Sequence, residues 1–164
     1  MERLNQIYDI QKQLDDTIFK KYSLTDKESV KNKKILGFIV ETSELANATK
    51  SYKYWSRSLP NTKEELLEDY SDGLHFLLSL CLELEVDLKE KFISVEKIED
   101  LSDLFHIIIK EAIELRDNFT KEKVKKLLSY YIYLGEKLGF KMGYILEGYI
   151  KKNKSIIEKH AFEN

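Results

Sequence analysis

Two carboxylates interrupt an otherwise apolar helical stretch at residues 35–48. Leu, Ile, Val and Phe occupy nearly every side of this stretch, and Glu41 and Glu44 lie in its middle. A spacing of three residues places both acids on one helical face, about one turn apart. Because an ionised carboxylate is costly to bury alone, the pair requires a cationic partner. A divalent cation with further ligands elsewhere in the chain would satisfy it.

A second acidic pair occurs at the start of the next apolar helical stretch, residues 70–84. Asp69, Asp72 and His75 follow one another at steps of three residues and form one polar stripe. A helix that is apolar all round belongs in the core. We therefore expect the two most buried helices each to direct a carboxylate pair inward or into a cleft.

The two pairs together form a candidate metal site. Oxygen ligands suit Mg²⁺ or Mn²⁺, whereas three His and one Cys give little support to zinc. Four carboxylates could hold two or more Mg²⁺ ions while a substrate adds its own anionic oxygens. The predicted metal ligands are Glu41, Glu44, Asp69 and Asp72.

Two other interpretations of these acids stay open from the residues alone. The carboxylates could be solvated, or they could pair with lysines such as Lys34, Lys50 and Lys53. A di-iron site is less favoured, because it needs paired Glu-x-x-His motifs. Only Asp72-x-x-His75 approaches that pattern, and the preceding helix has no counterpart.

Composition limits the class of protein. The 164 residues suit a single domain spanning 1–164, with 43% hydrophobic and 34% charged residues. A net charge of -2 gives no reason to expect nucleic-acid binding. No apolar run reaches the roughly 18 residues of a membrane span, and the first twenty residues show no signal-peptide pattern. The lone Cys81 is expected to be a core thiol, so the expected location is the cytoplasm.

The chain is predicted to be all-α, an antiparallel bundle of about six helices. It has one Pro and six Gly and lacks strand signals. Two capping boxes, Thr25 with Glu28 and Thr62 with Glu65, indicate where the second and third helices start. The predicted helices span residues 4–22, 25–49, 62–85, 94–118, 120–139 and 141–160.

Three motifs resemble the dimeric all-α dUTPases of the MazG-like NTP pyrophosphatase superfamily. They are Glu41-Thr-Ser-Glu44, Tyr54-Trp55-Ser56 and Asp69-Tyr-Ser-Asp72-Gly-Leu-His75, and the resemblance is best over residues 7–84. It implies a homodimer that hydrolyses dUTP to dUMP and pyrophosphate with Mg²⁺. It also implies metal ligation by Glu41, Glu44 and Asp72, with Asp69 standing where the family usually has Glu. Glu41 or Glu44 would then orient or deprotonate the attacking water.

The resemblance also implies substrate contacts. Gln11 and Asp15 match a segment that faces the nucleoside, Trp55 matches a tryptophan of the base pocket, and His75 follows the last metal ligand. Near the C-terminus, a Tyr-x-x-Lys-Asn segment matches a phosphate-binding motif. The family often continues with Asn and Arg, where this chain has Ile156 and Lys159. The phosphate-binding candidates are Lys152, Asn153 and Lys159.

Plainer interpretations exist for these residues when the resemblance is set aside. Gln11 and Asp15 could lie on a helix surface, Trp55 could cap the core, and His75 could be a satisfied core histidine. At the level of function, one alternative is a related pyrophosphatase acting on dCTP or a broader set of nucleoside triphosphates. The other is a helical interaction or regulatory module that has lost its active site.

Overall fold

The computed structural model describes residues 2–89 and 92–162, with side chains described for 5–89 and 92–159. Within these ranges the chain forms six α-helices and no strand, which confirms the all-α prediction. The helices are α1 (Glu2–Lys21), α2 (Lys27–Thr49), α3 (Lys63–Glu83), α4 (Leu101–Glu114), α5 (Lys121–Lys137) and α6 (Met142–Phe162).

Helices α2 and α3 form the antiparallel centre of the bundle. Gly37 permits their close approach, because a Cβ at this position would lie 2.7 Å from the ring of Phe76. Further along the pair, Lys34 Nζ lies 2.5 Å from Glu83 Oε1. Helices α1, α5 and α6 pack against α3, and α4 packs against α2 and α5. Every helix of the bundle therefore contacts one of the two helices that carry the acidic pairs.

Helix caps confirm some predicted boundaries and correct others. The capping box of Thr62 and Glu65 is present at the start of α3, and Thr120 caps α5. The capping box predicted at Thr25 is wrong. The Asp26 side chain accepts a hydrogen bond from the Ser29 N–H and caps α2 instead.

The fourth helix begins later than predicted. Asp100 accepts hydrogen bonds from the backbone N–H groups of Ser102 and Asp103, so α4 starts at Leu101 and residues 94–100 belong to the connector. The end of the connector is held on α5. Lys137 donates to the carbonyls of Ile98 and Glu99. A polar cap and these side-chain contacts therefore override the helical periodicity of this segment.

Two buried tyrosines join α3 to α5 directly behind the second acidic pair. The rings of Tyr70 and Tyr131 stack with their centroids 4.6 Å apart. Each hydroxyl donates to the backbone carbonyl of the other residue, at 3.1 and 2.9 Å. The Tyr131 hydroxyl passes over Gly73, where a Cβ would lie 2.1 Å away. This contact fixes the turn of α3 that carries Asp69 and Asp72.

None of the described helices combines the length and the apolar character that crossing a membrane requires.

Candidate active site

The antiparallel packing of α2 and α3 brings the two acidic pairs into one electrostatic cluster. Burial raises the pKa of Glu41 to about 7, and the negative charges of Asp72, Glu44 and Asp69 add to the increase. Burial likewise raises the pKa of Asp69, with contributions from Asp72 and Glu44. Glu44 is exposed, whereas the other three acids are half-buried. The acids of α2 therefore lie close enough to those of α3 for their charges to interact.

The cluster is not a closed metal cage. Among the described side chains, no group of three or more His, Cys, Asp or Glu residues is positioned to hold a metal ion. The donor set nevertheless fits a hard cation, because several carboxylates repel one another and raise the pKa of Glu41. Mg²⁺ keeps several waters and needs only one or two direct carboxylates, so an open cluster suits it better than it suits Ca²⁺.

A lysine from the C-terminal helix reaches the cluster. The Lys152 ammonium forms an ion pair with Asp72 Oδ1, and its charge opposes the increase in the pKa of Glu41. Lys152 is separated from Asp72 by eighty residues of sequence, so only the packing of α6 against α3 joins them. The phosphate-binding segment implied by the resemblance thus lies beside the candidate metal ligands.

The two other residues of that segment differ in their surroundings. Asn153 is 2% exposed and its Nδ2 donates to the Tyr149 carbonyl at 2.9 Å. Its buried Oδ1 has no hydrogen-bond partner in the part of the chain that is described. Lys159 is exposed and lies seven residues beyond Lys152, which is about two turns along α6.

Gln11 belongs to a buried network rather than to a surface, so its interpretation as a surface residue is wrong. Its side chain is fully buried, and its Nε2 donates to Asp15 Oδ1 at 2.7 Å. The Tyr149 hydroxyl donates to Gln11 Oε1, and Ser79 Oγ donates to Asp15 Oδ2 at 2.5 Å. The network connects α1, α3 and α6, and it holds the Asp15 carboxylate at the surface of a cavity.

His75 lies between this network and the acidic cluster. Burial lowers its pKa, while Asp15 and Asp72 oppose that change and Lys152 and Lys34 reinforce it. Its Nδ1 is buried and has no hydrogen-bond partner among the described residues. His75 is therefore not the satisfied core histidine of the plainer interpretation. Within the part of the chain that the structure describes, its Nδ1 is thus an unpaired polar atom between the network and the acidic cluster.

A cavity of about 170 Å³ opens beside His75. Its polar lining consists of Asp15, His75, Ser79, Lys33 and Lys34, and its apolar lining consists of Ile18, Phe19, Leu24, Val30 and Phe76. From the sequence, Lys34 is only a possible partner for the acids. Its position two turns before Glu41 on the same face of α2 is the signal that could have placed it beside the cavity.

Trp55 is neither a core residue nor part of the cavity lining. Its side chain is 66% exposed in the loop of residues 50–61, which contradicts the interpretation as a core cap. Its ring meets Tyr52 and Tyr54 edge to face, with centroids 6.1 and 5.1 Å away. The Tyr52 hydroxyl donates to Asn47 Oδ1 at 2.9 Å, so the aromatic group is attached to the end of α2.

The protein is an all-α bundle in which the carboxylates of α2 lie opposite those of α3, and Lys152 of α6 pairs with one of them. Such a centre is suited to a cation and an anionic ligand together. A family model described as dUTPase matches residues 3–160, and the chain belongs to this dUTPase family. The match extends the resemblance of residues 7–84 to almost the whole chain. No curated protein matches the chain.

Proposed function

We propose that the protein is a Mg²⁺-dependent dUTP diphosphatase that converts dUTP to dUMP and pyrophosphate. The observation that carries the proposal is the ion pair of Lys152 with Asp72. It joins a lysine of α6, which the family resemblance assigns to phosphate binding, to the acidic cluster of α2 and α3. Membership of the dUTPase family supports dUTP as the substrate.

Charge complementarity explains why these residues belong together. A nucleoside triphosphate is strongly anionic, and the acidic cluster would repel it without a cation between them. Mg²⁺ held by Glu41, Glu44, Asp69 and Asp72 would polarise a phosphoryl oxygen and lower the pKa of a bound water. Lys152, Asn153 and Lys159 are proposed to contact the phosphates, and Lys152 would exchange its carboxylate partner for a phosphate oxygen.

Glu41 is the stronger candidate for the general base. Burial and the neighbouring carboxylates raise its pKa to about 7 in the protein without Mg²⁺, which makes it a stronger base than an ordinary carboxylate. Glu44, which is more exposed, is better placed to orient a ligand at the mouth of the cluster. Gln11, Asp15 and His75, at or beside the cavity, are the proposed contacts to the nucleoside. Trp55 stays a predicted contact on the strength of the family resemblance, because its loop follows the opposite end of α2.

Substitution of Glu44 by Gln tests the proposal. Glu44→Gln is expected to reduce pyrophosphate release from dUTP about a hundred- to a thousandfold, the scale on which removal of a key transition-state contact acts. The fold should be retained, because loss of one charge relieves repulsion within the cluster. The matched control is Glu122→Gln at an exposed position in the first turn of α5, which should retain full turnover.

A panel of nucleoside triphosphates in Mg²⁺ and in EDTA completes this experiment. Hydrolysis of dUTP that needs Mg²⁺ and fails in Glu44→Gln supports the proposal. A Glu44→Gln protein with full Mg²⁺-dependent activity would overturn the assignment of the cluster. No turnover of any nucleotide, with no thermal shift on adding Mg²⁺ and a non-hydrolysable dUTP analogue, would favour an interaction module.

The enzyme is also proposed to be a homodimer. Leu36 and Val40 lie on one face of α2 and are 61% and 46% exposed. Ile113 of α4 is 57% exposed. Helices α2 and α4 run antiparallel, because Ser102 bonds to Ser51 near one end of the pair and Lys31 bonds to Arg116 near the other. Ile113 therefore lies at about the same height along the pair as Leu36. This apolar patch on α2 and α4 is a suitable surface for a second copy, as the family resemblance implies.

A further inference from the structure

We propose that Lys34 selects the base of the substrate by donating a hydrogen bond to the exocyclic O4 of uracil. The proposal rests on the proposed function and adds a residue that neither the sequence motifs nor the family match assigns. It concerns the cavity beside His75, where Lys34 forms part of the wall.

The cavity lies along a polar stripe of α3 that leads away from the acidic cluster. Asp72, His75, Ser79 and Glu83 follow one another at steps of three or four residues on one helical face. Asp72 belongs to the cluster, whereas His75 and Ser79 line the cavity. A substrate whose phosphates meet the cluster would therefore direct its nucleoside along this stripe toward Glu83.

Lys34 stands at the far end of that path. On α2 it precedes Glu41 by seven residues, which is two turns or about 10 Å. The cavity of about 170 Å³ is smaller than the 300–1,000 Å³ usual for drug-sized ligands. It has room for a single heterocyclic ring, and Asp15, Phe19 and Lys34 also line a wider neighbouring cavity of about 530 Å³. The edge of a pyrimidine farthest from its sugar carries position 4, and this edge would face Lys34.

The Lys34 ammonium is held in place and retains capacity to donate. Its side chain is only 12% exposed, and it pairs with Glu83 Oε1 at 2.5 Å. Asp15 Oδ2 lies 3.9 Å away, and the ring of Phe19 lies beneath the ammonium at 5.6 Å. An ammonium has three donors and no acceptor. At least one N–H can therefore serve a ligand while Glu83 keeps the group oriented.

This chemistry distinguishes uracil from cytosine. Uracil presents a carbonyl oxygen at position 4, which accepts from an ammonium. Cytosine presents an amino group there. In a partly buried site the Lys34 ammonium and this amino group, both donors, could not form a hydrogen bond with each other. The neighbouring Asp15 carboxylate can accept a hydrogen bond from the N3–H of uracil. The N3 of cytosine carries no hydrogen and is itself an acceptor, so it would be repelled by this carboxylate. Both groups thus favour uracil.

The experiment compares kcat/KM for dUTP and dCTP in the wild type, Lys34→Met and Lys34→Gln. Lys34→Met should lower the dUTP:dCTP ratio at least about tenfold, within the range for loss of one polar contact to a base edge. Lys34→Gln gives the site an amide oxygen that can accept from the cytosine amino group, so it should raise kcat/KM for dCTP. Thermal melts show whether each variant is folded, and if one of them is not, the other still tests the role of Lys34.

Lys31→Met is the matched control. Lys31 is also a buried, ion-paired lysine of α2, with Glu28 Oε1 at 2.7 Å. It lines the wider neighbouring cavity but not the cavity beside His75. This variant should keep the wild-type ratio. A folded Lys34→Met protein that also keeps the ratio would overturn the role of Lys34 alone, as would a wild type that prefers dCTP. A wild type without any triphosphate hydrolysis would instead contradict the proposed function.

Discussion

At the scale of single residues, the surroundings of the Glu41 carboxylate raise its pKa to about 7. It is half-buried, with Glu44 one turn away on α2 and with Asp69 and Asp72 across the helix pair on α3. Lys152 supplies a single positive charge against them and is itself paired with Asp72. A cluster of this kind is unfavourable in the isolated protein, because like charges disfavour ionisation of one another. The cluster is therefore better explained by ligand binding than by stability.

In protein kept in EDTA, the destabilisation caused by repulsion among these carboxylates should appear in the pH dependence of stability. An unfolded Glu41 ionises near its ordinary pKa of 4.5, whereas in the folded chain its pKa is about 7. Between these values the folded state binds more protons, so stability falls as pH rises from about 5 to about 7. At pH 8, Glu41→Gln should melt about 2–4 °C higher than the wild type.

Thermal melts of both proteins from pH 5 to pH 8 provide the measurement. The difference between them should shrink toward pH 5, where Glu41 is protonated in the folded state. Two parallel curves across this range would contradict the perturbed carboxylate. Glu122→Gln, exposed on α5, should follow the wild type at every pH.

At the scale of helices, the contact of α3 with α5 determines how the second acidic pair is presented. The Tyr70 and Tyr131 rings stack, and each hydroxyl bonds to the other backbone. Gly73 allows this arrangement because any side chain there would meet the Tyr131 hydroxyl. The motif containing Asp69, Asp72 and Gly73 is thus a packing motif as well as a chemical one.

Gly73→Ala should destabilise the protein by about 1–3 kcal/mol, the usual cost of forcing an extra carbon into a filled core. Tyr131 is fully buried and stacked, so it cannot move aside freely. Tyr131→Phe removes the oxygen nearest the new methyl group. Adding it to Gly73→Ala should therefore recover part of the loss. Urea unfolding of the two single variants and the double variant measures this coupling, and purely additive losses would contradict it.

The position of Asp72 shows how much of the site the sequence predicts. Its spacing from Asp69 and His75 places all three on one face of α3, and helical geometry alone gives that result. The same geometry gives the pairing of Glu41 with Glu44. The start of α4 was mispredicted, because a side-chain cap at Asp100 and contacts to α5 outweigh local periodicity. The place of Lys34 at the cavity and the burial of Gln11 were not predicted, because local sequence does not tell which neighbours cover a polar side chain.

At the scale of the whole molecule, the exposed apolar patch of Leu36, Val40 and Ile113 is expected to join two copies of the chain. Leu36→Asp should shift the protein from dimer to monomer, since a buried unpaired carboxylate opposes association. Sedimentation at several concentrations measures the change. Leu59→Asp, at a loop position that is 85% exposed, is the control and should remain dimeric. A wild type that sediments as a monomer would contradict the dimer.

The sequence by itself determined the helices, their number and the two acidic faces, because these depend on periodicity and residue type along short stretches. The tertiary structure decided which faces meet. Antiparallel packing placed Glu41 opposite Asp72, brought Lys152 from α6 to the same point, and enclosed a cavity between Lys34 and His75. Such contacts join residues far apart in the chain, and their selection depends on how whole helices bury their apolar faces against one another.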